Sequence, residues 1–117
     1  MSTVDELVEL NHEMASRETA GDRAWFDRLL APEFAMRRAS GAYVGRAAFL
    51  AAVAPSAERT TSELDVVHHT DRIAAVVCVV SMRQADRSSQ DYRNSRLFGR
   101  LDGTASWQLL AWANEPV

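Results

Sequence analysis

The chain has 117 residues, of which 47% are hydrophobic and 25% charged, and its formal net charge is −3. This length fits one domain over residues 1–117, and the composition excludes disordered and fibrous proteins. The negative charge argues against a nucleic-acid partner, because such binding depends on neutralising phosphates. No apolar run reaches the roughly 18 residues of a membrane span, so no membrane partner is expected. The opening residues lack the basic segment of a secretory signal, which predicts a cytoplasmic protein.

Three helices are predicted in the first half of the chain. The first begins at a capping box formed by Thr3 and Glu6, and it ends at Gly21. A short extended stretch, Phe34–Arg38, can pair back with Tyr43-Val44 as a small hairpin. In chain order the helices span about Val4–Thr19, Arg23–Leu30 and Arg46–Val53.

The second half changes from a helical period to the period of two that is typical of strands. Because the connections between the predicted strands are short, neighbouring strands form antiparallel hairpins, and the fold class is α+β. Within them, Ile73 to Val80 is apolar on both faces, whereas the helices can cover only one face of a sheet. The outer face is therefore predicted to form a homodimer interface. The strands span about Thr60–His69, Arg72–Gln84, Gln90–Leu101 and Ser106–Asn114.

The third predicted strand has two unlike faces. Arg93, Ser95 and Leu97 share one face, and the other carries Asn94 and Arg96 among further polar residues, which suits water or a partner. In the last strand, Gln108, Leu110, Trp112 and Asn114 alternate with Trp107, Leu109, Ala111 and Ala113.

The cysteine and histidine residues give no metal motif. Cys78 is the only cysteine and lies in an apolar run, which predicts a buried and inert thiol. His68 and His69 are adjacent in a strand and point to opposite faces, so they cannot hold one ion together. Neither a metal nor a cofactor is predicted. His68 shares the more apolar side with Leu64 and Val66 and is the one weak candidate for an internal base, although a surface role is more typical of a histidine near a strand end.

Three features carry a family resemblance: the helix break Ala20-Gly21-Asp22, the turn Ser40-Gly41, and a final hairpin from Tyr92 through Asp102-Gly103 to Ala111. Together they resemble the nuclear transport factor 2-like superfamily, which includes ketosteroid isomerase, scytalone dehydratase and polyketide cyclases. Within it, the chain is similar to small bacterial SnoaL-like domains. The resemblance covers essentially the whole chain. It implies three helices in the concave face of a curved, mainly antiparallel sheet of four to six strands, which is a cone-shaped, cystatin-like roll.

The resemblance also implies an apolar pocket at the wide end of the cone and frequent dimers, but it transmits no activity. The isomerase needs a tyrosine, a carboxylate base and a protonated aspartic acid. Met14 stands in the place of the tyrosine, Arg38 near that of the base, and Ser95 in that of the second acid. Isomerase chemistry of this kind is therefore excluded.

The same correspondence directs a set of side chains toward the pocket. Arg93 is predicted to be its main polar anchor, holding a carboxylate or enolate oxygen, and it is also a weak catalytic candidate. The alternative is that Arg93 pairs with an acid such as Glu63 or Asp65, or extends into solvent. Similarly, Asn11 either donates a hydrogen bond to a ligand or makes a hydrogen bond between the helix and the sheet. The predicted ligand-binding residues are Asn11, Met14, Arg38, Arg93, Ser95, Leu97, Leu110, Trp112 and Asn114.

Two functions remain open from the residues alone. One is a pocket that binds a small apolar carbonyl or acid compound, or turns it over as a cofactor-independent lyase, cyclase or isomerase. The other is a non-catalytic dimeric module for binding or assembly, whose cavity is plugged by Trp112, Phe34 and Phe49. A void of several hundred cubic ångströms favours the first function.

Overall fold

The computed structural model describes residues 2–102 and 104–117. The predicted turn after the third of the four long strands contains Gly103, which lies outside the described residues. The elements are α1 (Thr3–Ala20), α2 (Arg23–Leu29), β1 (Leu30–Arg37), β2 (Tyr43–Gly45), α3 (Arg46–Ala52), β3 (Arg59–His69), β4 (Ile73–Arg83), β5 (Ser89–Gly99) and β6 (Gln108–Pro116).

Helix α1 begins one residue earlier than the sequence analysis predicted. The side chain of Ser2 accepts a hydrogen bond from the backbone N–H of Asp5 at 3.1 Å, so Ser2 is the N-cap and the prediction of Thr3 was wrong. The physical reason is that Ser2 offers the same hydroxyl cap as Thr3, with an acidic residue three positions later. Leu7, Asn11 and Met14 lie on the inward face of α1 and are fully buried.

Gly21 follows α1 and packs closely against the segment before β3. It has φ +68°, and a Cβ atom at this position would lie 2.3 Å from the backbone nitrogen of Pro55. Only glycine fits both the left-handed conformation and this close approach. The Ser56 N–H then donates to the Thr19 carbonyl, which holds the start of β3 against the C-terminal end of α1.

The six strands form one curled sheet in the order β2-β1-β6-β5-β4-β3. The predicted meander of β3 to β6 is confirmed, because each of these strands pairs antiparallel with the next. Strand β1 is longer than predicted, and it pairs in parallel with β6. Pro32 lies between Leu30 and Ala35, where the hydrogen-bond ladder between β1 and β6 is interrupted. Because no ladder hydrogen bond is made there, the N–H that proline lacks is not needed.

The core lies between the helices and the inner face of the sheet, so the α+β class with helices in the concave face is confirmed. Phe49 contacts Phe26, Phe34 and Trp112 with ring centroids 5.4, 5.5 and 5.8 Å apart. Cys78 is a buried free thiol, and burial raises its pKa, as expected for an inert cysteine.

A bulge in β6 changes which side chains face inward. Leu97 pairs with Ala111 and Phe98 with Leu109, so Leu110 has no partner in the ladder. Leu109 and Trp112 are both buried, although they are three residues apart. Strict alternation along β6 was therefore the wrong expectation, because one extra residue inverts the phase.

Candidate functional site

The two faces of β5 are the reverse of the prediction. Asn94 and Arg96 are buried, at 1% and 2% exposure, whereas Arg93, Ser95 and Leu97 are exposed on the outer face. The predicted roles of Arg93, Ser95 and Leu97 as pocket residues are therefore wrong in their geometry. The polar side chains lie inside because each finds a hydrogen-bond partner there.

Arg96 is the centre of a buried network between α1 and the sheet. Its Nη1 donates to Asn11 Oδ1 at 2.9 Å, and its Nη2 donates to Asn94 Oδ1 at 3.2 Å. The guanidinium carbon lies 4.7 Å from the ring centroid of Trp112, its cross-strand neighbour. The indole Nε1 of Trp112 donates to Asn94 Oδ1 at 2.6 Å. These contacts fix the position and plane of a buried cation.

No carboxylate among the described residues forms an ion pair with Arg96. Amide oxygens satisfy two of its donors, and its Nε is buried without a partner in that same part of the chain. Burial lowers the pKa of Arg96, but a guanidinium remains protonated at neutral pH. Within the described residues, the groups that contact this buried positive charge are amide dipoles and a π face, and the carboxylate of Glu18 acts on it from a longer distance.

A cavity of about 360 Å³ opens beside this network, at the C-terminal end of α1. Its apolar walls include Met36, Phe49 and Trp112, while Asn94 links it to Arg96. The volume lies at the lower end of the range for small-molecule sites. Phe49 and Trp112 are thus walls of the cavity and do not fill it. The complete lining is Glu18, Met36, Arg38, Ala39, Ser40, Phe49, Arg59, Val80, Met82, Tyr92, Asn94, Trp112 and Asn114.

Two further arginines stand at the cavity. Arg38 lines it because the alternation of β1 turns Met36 inward and Arg37 outward, and no described carboxylate pairs with Arg38. Arg59 is held at the start of β3 by a hydrogen bond to the Ser56 hydroxyl, and its Nε lies 3.7 Å from Glu18 Oε2.

Glu18 is the only acidic residue among the described residues that line the cavity. Burial raises the pKa of its carboxyl group, although the charges of Arg59, Arg96 and Arg38 act in the opposite direction. A buried carboxyl group with a raised pKa at a cavity wall is a candidate functional group.

The structure brings together some of the residues predicted for the site. Arg38, Trp112 and Asn114 line the cavity. Asn11 and Met14 do not line it and are buried in the core, and Asn11 accepts the helix-to-sheet hydrogen bond that was one of its two predicted roles.

Two other predicted residues lie away from the cavity. Leu110 sits in the β6 bulge, where its Cδ1 would lie 2.9 Å from a Cβ atom at Gly99. His68 and His69 are both exposed at the end of β3, so His68 is not an internal base. The reason is that β3 is an edge strand, and its last three residues, Val67 to His69, are all exposed.

Glu18, Arg59, Asn94 and Arg96 were not predicted as site residues. A signal for Glu18 was present, since it continues the buried stripe of Leu7, Asn11 and Met14 at helical spacing. For Arg96, the residue types of β5 gave no signal, because the opposite face carries Arg93 and Ser95 beside Leu97.

Metal-ligand clusters and membrane-spanning helices were sought in the described part of the chain. No group of three or more His, Cys, Asp or Glu side chains within the described ranges is placed to hold a metal ion. None of the helices that the structure describes is long and apolar enough to cross a membrane.

Comparison with known proteins gives a structural likeness only. No protein-family model matches the chain, and no curated protein matches it significantly. Among solved structures, an NTF2-like protein from Cytophaga hutchinsonii has a TM-score of 0.86 at 15% identity, with 100% of both chains covered. An NTF2-like protein of unknown function in nutrient uptake from Rhodospirillum rubrum has a TM-score of 0.79 at 18% identity, covering 95% of this chain and 98% of the other.

A third likeness is to the CaMKII hub homology domain of Chlamydomonas reinhardtii, with a TM-score of 0.75 at 17% identity and coverage of 100% and 99%. At these identities the agreement establishes a shared backbone and no shared activity. The chain has the NTF2-like fold.

Proposed function

We propose that this domain binds a small acidic molecule with a flat, apolar body in the cavity beside α1. The observation that carries the proposal is the local excess of positive charge. Arg38 and Arg59 line the cavity together with one carboxylate, Glu18, and Arg96 lies directly behind the wall residues Asn94 and Trp112. The chain as a whole has a net charge of −3, so the cavity is positively charged in a protein that is negatively charged overall.

The walls define the rest of the ligand. Trp112 and Phe49 present aromatic surface, and Met36 adds a flexible apolar side chain that adapts to the shape of a ligand. Arg38, which has no carboxylate partner among the described residues, supplies a planar set of donors that matches a carboxylate. Tyr92 and Asn114 add polar groups to the lining for a second ligand oxygen. Arg38 therefore takes the anchoring role that the sequence analysis gave to Arg93.

Adjacent arginines on opposite faces provide a matched test with phenylacetate as the probe. Arg38→Gln removes the cavity charge, whereas Arg37→Gln removes a charge on the outer face. We expect Arg38→Gln to weaken binding about tenfold or more, since a charge-assisted hydrogen bond is worth about 1.5–3 kcal/mol. We expect Arg37→Gln to leave the affinity close to that of the wild type. Quenching of tryptophan fluorescence, with Trp112 in the wall, measures the binding.

The neutral analogue phenylacetamide completes the test. It keeps the aromatic ring and loses the charge, so it should bind the wild-type protein more weakly than phenylacetate does. Equal affinities for the two compounds would show that charge recognition is absent. Equal effects of the Arg37 and Arg38 substitutions would also contradict the proposal.

A second proposed function is self-association through the outer face of the sheet. A groove of about 450 Å³ lies there, with walls that are predominantly small and apolar. An outer sheet face that meets water is usually polar, so this composition favours a covering partner. We propose a second copy of the chain as that partner, which agrees with the likeness to a hub homology domain. The apolar side chains of the groove include Ala75, Val77, Leu97, Ala111 and Ala113.

Two exposed leucines allow a direct test of this interface. Leu97 lies in the groove at 37% exposure, whereas Leu101 lies beyond the end of β5 at 84% exposure. Leu97→Glu should weaken self-association at least about tenfold, because it places a charge in an apolar contact. Leu101→Glu should have no effect. Sedimentation equilibrium measures both, and a monomeric wild-type protein at micromolar concentration would refute the proposed interface.

A further inference from the structure

Glu18 shares the cavity with the acidic ligand proposed above. It lies in the last turn of α1, its side chain is 15% exposed, and it contributes to the cavity wall. Its carboxylate accepts no hydrogen bond from any side chain or backbone group of the described residues. The nearest cationic atom, Arg59 Nε, is 3.7 Å away, which is longer than a charge-assisted hydrogen bond. The protein thus leaves this carboxylate largely without direct partners.

The charged and titratable groups around Glu18 come from three places. Strand β3 contributes Arg59, the residue after β1 is Arg38, and β5 contributes Arg96 and Tyr92. Strands β4 and β6 contribute only uncharged side chains to this cavity. Helix α3 and the segment after it contribute only uncharged residues, namely Phe49, Ala52, Val53, Ala54 and Ser56. Burial outweighs the three arginines and raises the pKa of the Glu18 carboxyl group. A further negative charge in this space would raise that pKa again.

We propose that the ligand enters the cavity together with one proton from solvent, which Glu18 and the ligand carboxylate then share. This inference rests on the proposed function, since it concerns the same cavity and the same class of ligand. Burial already favours the neutral form of Glu18 against the attraction of the three arginines, and a second carboxylate beside it adds a repulsion that one shared proton converts into a hydrogen bond. Arg96 cannot relieve the repulsion by moving, because Asn11, Asn94 and Trp112 hold it in place.

Proton sharing makes the site selective among acids. A carboxylate is a strong enough base to share a proton with Glu18, whereas a sulfonate of the same shape is not. It also makes the affinity depend on pH in a defined direction. The affinity should rise as the pH falls through the pKa that Glu18 has in the complex, by up to about tenfold per pH unit for one proton.

The experiment measures phenylacetate binding by calorimetry between about pH 8 and about pH 5.5, in two buffers with different heats of ionisation. For the wild type we expect uptake of up to about one proton per ligand and a tightening affinity as the pH falls. Glu18→Gln keeps the size of the side chain and cannot titrate, so its binding should show no proton uptake and little dependence on pH. His12, His68 and His69 are present in both proteins, so their contributions cancel in the comparison.

A measurement on the wild type alone covers the case in which the Glu18→Gln variant does not fold. The ¹³C resonance of the Glu18 carboxyl group reports its protonation directly, and saturating phenylacetate should raise its pKa. Benzylsulfonate should bind at least about tenfold more weakly than phenylacetate at the lower end of the pH range.

The possible failures are distinguishable. Phenylacetate binding that is independent of pH, without proton uptake, would refute proton sharing and leave the acid-binding function intact. The same pH dependence in wild type and Glu18→Gln would also refute it. No binding to either protein at any pH would overturn both proposals.

Discussion

The inner and outer faces of β5 differ in a way that reverses the usual expectation for a sheet. The inner face carries Asn94 and Arg96 into the core, whereas the outer face presents Ser95 and Leu97 to the surroundings. The inner polar groups are tolerated because they bond to one another and to Asn11. A polar strand face can therefore point into the core when hydrogen-bond partners are available there, so polarity alone does not show which face is exposed.

The inner face also shows how a buried charge can be held without a carboxylate in direct contact among the described residues. Removing a guanidinium from water is costly, and two amide oxygens with one indole ring offset part of that cost. A buried ionic group is weak evidence for stability. We interpret the network of Asn11, Asn94, Arg96 and Trp112 as the rigid back wall of the proposed binding cavity.

Arg96→Ala and Arg93→Ala give the largest expected contrast between the two faces. Arg96→Ala removes a buried side chain and leaves Asn11 Oδ1 without its donor, so it should lower the free energy of unfolding by about 2 to 4 kcal/mol. Arg93 is exposed, and Arg93→Ala should change the free energy of unfolding by less than about 0.5 kcal/mol. Denaturant unfolding measures both values.

The comparison needs one control, because Arg93 lies on the face that we propose for self-association. The unfolding of each variant is measured at two protein concentrations that differ by about a hundredfold, so that any contribution of association to stability becomes visible. Similar losses for the two variants in the monomer would break the distinction between the faces. A stabilised Arg96→Ala variant would show that the cost of burying the charge exceeds the value of its contacts.

The helices and the antiparallel meander could be predicted because their signals are local. The stripe of α1, with Leu7, Asn11 and Met14, follows helical spacing, and Gly21 marks its end. The pairing of β1 with β6 could not be predicted in this way. The two strands are far apart in the sequence, and Pro32 within β1 argues against a strand at all.

The candidate site was harder to predict because two assignments depended on strand phase. An error of one residue turns every side chain to the opposite face, as happened for Arg93 and Ser95. Both Leu110 and Trp112 of β6 were predicted to line the pocket. Because of the bulge at Leu110, only Trp112 lines the cavity. A bulge of this kind depends on how neighbouring strands curve around the core, and no local residue pattern identified it.

Glu18 allows a second test of the enclosed inner side of the sheet, with a smaller expected effect on stability. The folded state raises the pKa of Glu18, so the native protein binds more protons than the unfolded chain in the range between the two pKa values. The stabilising contribution is fully present below the unfolded pKa of about 4.5 and is lost as the pH rises through the folded pKa. We therefore expect the stability of the wild type relative to Glu18→Gln to decrease from about pH 5 to about pH 8.

Thermal or denaturant unfolding of the two proteins across this range measures the effect, which should be smaller than that of Arg96→Ala. Salt provides the control that identifies the cause. Burial is the main reason for the raised pKa, and added salt screens charge pairs but does not rehydrate a buried group. The decrease should consequently persist at about 1 M NaCl, where the screening length is about 3 Å. If the stability of the wild type relative to Glu18→Gln instead grew with pH, Arg38, Arg59 and Arg96 would be stabilising Glu18 as an anion. Glu18 would then already serve as the counter-ion of these arginines in the cavity.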